Sequence, residues 1–198
     1  MSGSGRASRT GGRRRRAWTS TSRWPDTTFD AAVCFGGPLS YVLDDAERCV
    51  AELVRVTKPG GYVLLSVMSL VGTILHYLPL LLDLVRRDGA DKNEEIIRTG
   101  FLSEEPDYGH RAMKLYRWSE LETLLSRHGT IVAAAAAGLL PAVRPDEPEL
   151  RTFLSRVELE LAAEPGAVSC GEHIVAVLGV GPSSAHEHEL PKLELIGR

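Results

Sequence analysis

Two apolar runs separated by a single helical stretch constrain this chain more than any other feature. The first, Phe29-Asp30-Ala31-Ala32-Val33-Cys34-Phe35, is closed by Gly36-Gly37-Pro38 and has the pattern of a short, fully buried strand. Asp44 or Asp45 then stands as an N-cap before a stretch in which Ala46, Val50, Leu53, Val54 and Thr57 recur at helical spacing. Lys58-Pro59-Gly60-Gly61 stops that helix, and Tyr62-Val63-Leu64-Leu65-Ser66-Val67 follows as a second apolar strand. Strand, helix and strand within about 40 residues make a βαβ unit, whose two strands are expected to run parallel.

The remainder of the pattern extends the same α/β reading. A helix is predicted within residues 70–87, broken near Pro79, which removes a backbone donor. The polar segment 86–117 has few apolar anchors and reads as a mobile lid or substrate loop. Trp118-Ser119-Glu120-Leu121 opens the next helix, with Ser119 as its N-cap, Leu121, Leu124 and Leu125 on its apolar face, and His128-Gly129 at its end. A third strand begins at Ile131. Residues 146–164 form an acidic helix with Leu150, Phe153, Leu154, Val157 and Leu161 on one side, expected to pack on the sheet. His173-Ile174-Val175-Ala176-Val177-Leu178 is a fourth strand.

Charge divides the chain into unlike parts. The net charge is -3 over 198 residues, yet residues 1–28 carry seven arginines against the single Asp26. That segment has almost no aliphatic side chains, so it cannot offset the entropy of ordering, and it is predicted to be a disordered basic arm. The expected organisation is therefore this arm at 1–28, a domain at 29–181 and a polar tail at 182–198. Cys34, Cys49 and Cys170 are odd in number and lack metal-ligand spacing, which favours a reduced, cytoplasmic setting and no metal. Residues 62–82 contain no Asp, Glu, Lys or Arg and are long enough to cross a bilayer. Gly72, His76 and Pro79 interrupt them, so a strand followed by a helix is the better reading and no membrane association is expected.

The phrase Phe29-Asp30-Ala31-Ala32-Val33, the Gly-Gly-Pro loop, the helix ending Leu53-Val54-Arg55-Val56-Thr57-Lys58-Pro59-Gly60-Gly61 and the strand after it resemble the middle motifs of class I S-adenosylmethionine-dependent methyltransferases. Tyr116-Arg117-Trp118-Ser119 through Gly129 resembles the helix before that family's sixth strand, and residues 172–177 resemble its antiparallel last strand. The similarity covers residues 24–180. It implies a partial Rossmann-like sheet, the equivalents of strands four to seven with flanking helices, and S-adenosylmethionine as cofactor. The family's Gly-rich loop and ribose-binding acid have no counterpart, because Gly3-Ser4-Gly5 and Gly11-Gly12 follow no apolar strand. The expectation is the C-terminal half of such an enzyme, from a longer native protein or a degenerate gene, binding cofactor weakly or not at all.

The resemblance assigns Phe35, Gly36, Gly37, Pro38 and Tyr41 to the cofactor, at the C-terminal end of the first strand, where open α/β sheets bind ligands. For the glycines the alternative is an ordinary strand-to-helix turn, and for Tyr41 it is packing. His110, Arg111, Tyr116 and Arg117, in the predicted lid, are the candidates for substrate contact. No catalytic residue is assigned: the chemistry needs alignment of nucleophile and methyl carbon, worth about 7–11 kcal/mol. The methyl acceptor is expected to be a small molecule. An unpaired first strand is an association hazard, so self-association through it is expected. A non-catalytic module that binds a partner protein through the same edge is the other reading, separated from the enzyme by cofactor binding. The Arg13–Arg16 run could contact phosphates, but no aromatic spacing or module accompanies it, and no nucleic acid is expected. His186 and His188 read as part of a solvated tail.

Overall fold

The computed structural model describes residues 23–104, 111–140 and 145–181. Their order is β1 (Phe29–Cys34), α1 (Pro38–Tyr41), a 3-10 turn at Leu43–Asp45, α2 (Ala46–Val56), β2 (Thr57–Met68), α3 (Leu70–His76), α4 (Leu78–Asp88), α5 (Ala90–Thr99), β3 (Phe101–Leu102), β4 (Met113–Lys114), α6 (Trp118–Ser126), β5 (Thr130–Ala137), α7 (Pro148–Leu161) and β6 (His173–Gly179). The fold is α/β, a Rossmann-like sheet flanked by helices. The sheet order is β1-β2-β6-β5, with β3 and β4 forming a separate pair. β1 and β2 are parallel, as the βαβ pattern requires. β6 runs antiparallel to both of its neighbours, β2 and β5.

One face of this sheet holds the main core. Val63, Leu65 and Val67 of β2 alternate inward with Ile174, Ala176 and Leu178 of β6, all with 0% exposure. Leu39 of α1, Ala46 and Val50 of α2, and Leu121, Leu124 and Leu125 of α6 cover them. Each fully buried aliphatic side chain of this kind contributes about 1.5–3 kcal/mol. The alternation puts Val33, Leu64, Val175 and Val177 on the opposite face. They belong to neither buried cluster, and Val33 is 61% exposed.

Several local expectations are corrected. β1 contains no buried residue, because the sheet ends there among the described residues and only one of its edges is paired. α1 and a 3-10 turn stand between Gly37 and α2, and Asp45 takes the expected N-cap position of α2 but without a side-chain bond. Segment 86–117 is not one long loop. It contains α5, held by Asn93 Nδ2 donating to the Gly89 carbonyl (2.8 Å) and ended by Gly100 in the left-handed region. The N-cap of α6 is Arg117 rather than Ser119. Its backbone N–H donates to the Glu120 carboxylate (3.0 Å), half of a capping box.

α7 also departs from expectation. None of its residues is buried, and Leu150, Phe153 and Leu161 are exposed. The core face is already filled by α1, α2 and α6. α7 is instead fixed at its C-terminal end, where the Ala162 carbonyl accepts from Ala136 N–H (2.8 Å) and the Glu158 carboxylate accepts from Gly138 N–H (2.8 Å) and Leu139 N–H (3.1 Å). The predicted break near Pro79 falls at Tyr77, between α3 and α4.

Candidate functional site

β1 and β2 end side by side, and the chain leaves β1 through a turn that only glycine accommodates. Gly36 has φ 85° and Gly37 φ 75°, the left-handed region in which a Cβ is strained. Their two N–H groups donate to one acceptor, Ser66 Oγ on β2, at 3.0 and 3.3 Å. Pro38 then begins α1, where its missing N–H costs nothing. Ser40, with 0% exposure, accepts from Met68 N–H through its Oγ (2.9 Å). Two hydroxyls thus clamp the loop to the last residues of β2. Phe35 and Tyr41 stand out from it, 50% and 43% exposed.

The structure places Phe35, Gly36, Gly37, Pro38 and Tyr41 together in this turn and short helix. Residues that the sequence reading missed complete the rim. A Cβ built on Gly37 would lie 3.6 Å from the Met68 Sδ and 3.8 Å from the His173 ring. Met68, at the end of β2, pairs with His173 at the start of β6, and His173 pairs with Ala137 at the end of β5. Beside it, Glu172 accepts a 2.8 Å hydrogen bond from Tyr77 Oη. No motif marks these residues, because the antiparallel insertion of β6 between β2 and β5 brings residues 172–173 to the C-terminal ends of β2 and β5.

The other candidates separate. His110 lies outside the described residues. Arg111 stands just before β4. Tyr116 is only 5% exposed and belongs to the main core. Its N–H donates to Met68 O (2.8 Å) and its carbonyl accepts from Leu70 N–H (2.9 Å). Burial pushes the Tyr116 hydroxyl up to about 12, so it stays protonated at neutral pH. Arg117 donates through its guanidinium to the Ile97 carbonyl at the end of α5. Burial also pushes the Cys34 thiol up, which argues against a thiolate at the end of β1.

Gly36 has nothing within 4 Å of a Cβ position, so its backbone is open to a ligand's approach. Met68 and His173 border this turn. The Gly-rich loop and acid that the resemblance implies are not found among the described residues. A groove of about 320 Å³ does occur, but on the outer side of β1 and α2, lined by residues that include Trp24, Phe29, Val33 and Leu53. It lies off the turn and does not serve it. Among the described residues there is no cluster of three potential metal ligands and no helix long and apolar enough to cross a membrane.

The methyltransferase domain family model matches residues 7–65, a span that takes in β1, the Gly36–Gly37 turn, α2 and most of β2. The match begins upstream of Trp24, inside the segment read as a basic arm. No curated protein sequence matches the chain. A solved SAM-dependent methyltransferase from Methanosarcina mazei is similar over 81% of this chain and 63% of its own, with 21% identity and a TM-score of 0.46. The 1,6-didemethyltoxoflavin-N1-methyltransferase of Burkholderia thailandensis, solved with 1,6-didemethyltoxoflavin and S-adenosylhomocysteine, is similar over 82% of this chain and 48% of its own, with 15% identity and a TM-score of 0.44. The chain thus spans less than two thirds of the length of either structure. The resemblance to class I methyltransferases therefore holds at the level of a family-model match to the N-terminal third.

Proposed function

We propose that this chain is an S-adenosylmethionine-dependent methyltransferase acting on a small molecule. The observation that carries the reading is the methyltransferase-domain match over residues 7–65, which includes the open, positive-φ turn at Gly36–Gly37. The cofactor, when bound, supplies an activated methyl group. The turn offers bare backbone for its close approach, Phe35 and Tyr41 offer apolar surface to exclude water, and Ser66 and Ser40 keep the turn in place. His173 stands beside Gly37 as the group to take the proton from the acceptor's hydroxyl or amine. The three cysteines are free, in keeping with a cytoplasmic setting.

The edge of β1, unpaired among the described residues, supports a second element of the reading, association of two copies through that strand. The alternative function, a non-catalytic module that captures a partner protein by the same edge, predicts no cofactor binding. Calorimetric titration of the purified chain with S-adenosylmethionine and S-adenosylhomocysteine tests the proposal. Saturable one-to-one binding is expected. Absence of binding at millimolar ligand, with the chain shown to be folded, would rule out the enzyme reading for this chain.

A further inference from the structure

We propose that Cys34 and Cys49 join in a reversible disulfide that loosens the Gly36–Gly37 turn. The two residues stand on facing surfaces of β1 and α2. At the end of α2 the Arg55 and Val56 carbonyls accept from Thr27 and Thr28 N–H, just ahead of β1, so the helix runs antiparallel to the strand. Ala32 and Leu53 line one groove. Cys34, two residues further along the strand, shares the face of Ala32, and Cys49, one turn earlier on the helix, shares that of Leu53. All four pack against the main core cluster. Helical side chains lean toward the helix N-terminus, which here is toward Cys34. Burial pushes the Cys49 thiol up, and Cys34 adds to the effect, as do Asp45 and Glu52. Both thiols are free and half-buried, within reach of a small oxidant. Cys170 lies beyond α7, where its thiol donates to the Gly166 carbonyl (3.4 Å).

The oxidant is a peroxide. One thiol attacks a peroxide oxygen, the O–O bond breaks, and a sulfenic acid and water result. The second thiol attacks that sulfur, the S–S bond forms, the S–O bond breaks, and a second water carries off the remaining proton. Two sulfurs are oxidised and two oxygens reduced. Disulfides in reduced compartments are transient devices of this kind. The bond needs Cα atoms about 4.4–6.8 Å apart. A helix packed on a strand holds the backbones farther apart than that, so closure draws the end of β1 toward α2. There Cys34 pairs with Leu65, and its sulfur accepts from Leu39 N–H of α1. The Gly36 and Gly37 N–H groups that donate to Ser66 Oγ follow directly. Displacing Cys34 therefore pulls on the clamp that holds the turn.

The test treats the dilute full chain with hydrogen peroxide, maps its cysteines by mass spectrometry and follows amide hydrogen exchange. A Cys34–Cys49 bond reversed by dithiothreitol is expected. Exchange at Gly36 and Gly37 is expected to be about tenfold or more faster in the oxidised chain, a factor of ten being about 1.4 kcal/mol. Cys49→Ser should keep the slow exchange after peroxide, and Cys170→Ser should behave as the native chain does. Cys34 and Cys49 left reduced, oxidised separately, or bonded to Cys170 or between copies overturns the pairing. A Cys34–Cys49 bond that leaves exchange at the turn unchanged overturns its effect. Where Cys49→Ser does not fold, the oxidised native chain before and after dithiothreitol decides the same question. S-adenosylhomocysteine titration is a separate readout: no binding in either redox state sinks the methyltransferase reading and leaves the disulfide standing.

Discussion

Tyr77 Oη and Glu172 Oε1 lie 2.8 Å apart although their residues are 95 positions apart in sequence. The bond joins the break between two helices to the residue before the central antiparallel strand. The Glu172 carboxylate that accepts it holds the Tyr77 hydroxyl above its usual range, with burial adding to the effect. A raised folded-state pKa means that the bond's contribution is present in full below the unfolded value, about 10, and is lost as pH rises through the folded one. Tyr77→Phe is expected to cost up to about 1 kcal/mol at neutral pH. Chemical denaturation at pH 7 and above pH 10 should show that this difference disappears at the alkaline end.

Tyr116 makes a stronger case of the same sign. Its hydroxyl is pushed up to about 12 by burial, with Glu120 and Cys49 adding to it. Stability should therefore fall between about pH 10 and 12, where the unfolded chain ionises this tyrosine while the folded core keeps it protonated. Tyr116→Phe should flatten that fall, and a pH series of thermal midpoints would decide the matter.

Gly72 and Gly36 should differ sharply on substitution by alanine. A Cβ on Gly72 would sit 1.6 Å from the Gly171 carbonyl oxygen, a backbone clash that only movement of α3 or of the strand entry relieves. Gly72→Ala should cost about 3 kcal/mol or more, the upper range of overpacking. Gly36→Ala meets no atom and carries only the strain of its positive φ, about 1–2 kcal/mol. Equal midpoints for the two variants would contradict this packing.

Ser66→Ala removes the common acceptor of the Gly36 and Gly37 N–H groups. Leaving them unpaired should cost about 1–3 kcal/mol, and S-adenosylhomocysteine affinity should fall with stability if the turn holds the cofactor. An unchanged affinity would remove Gly36 and Gly37 from the cofactor site.

His173→Gln should lower turnover by about 10²–10⁴-fold while leaving S-adenosylhomocysteine affinity within a factor of about two, if the imidazole moves the acceptor's proton. A parallel loss of affinity would assign it to positioning the turn instead.

The sequence alone determined the βαβ unit, its parallel strands, the break between α3 and α4 and the last strand. Each is a local pattern, whether an apolar run closed by glycine, a helical period or a proline in the first turn of α4. It also located the Gly36–Gly37 turn, because two glycines after a strand have few other uses. Tertiary structure decided what such patterns cannot encode. The bareness of β1 follows from the sheet ending there among the described residues, not from its composition, and α7 lies outward because the core face was already filled. Tyr116 sits in the core rather than on a lid because its backbone bonds to Met68 and Leu70. His173 reaches the Gly37 turn, beside Met68, only because an antiparallel strand, inserted between β2 and β5, carries the start of β6 to the end of β2. No spacing along the chain records that return.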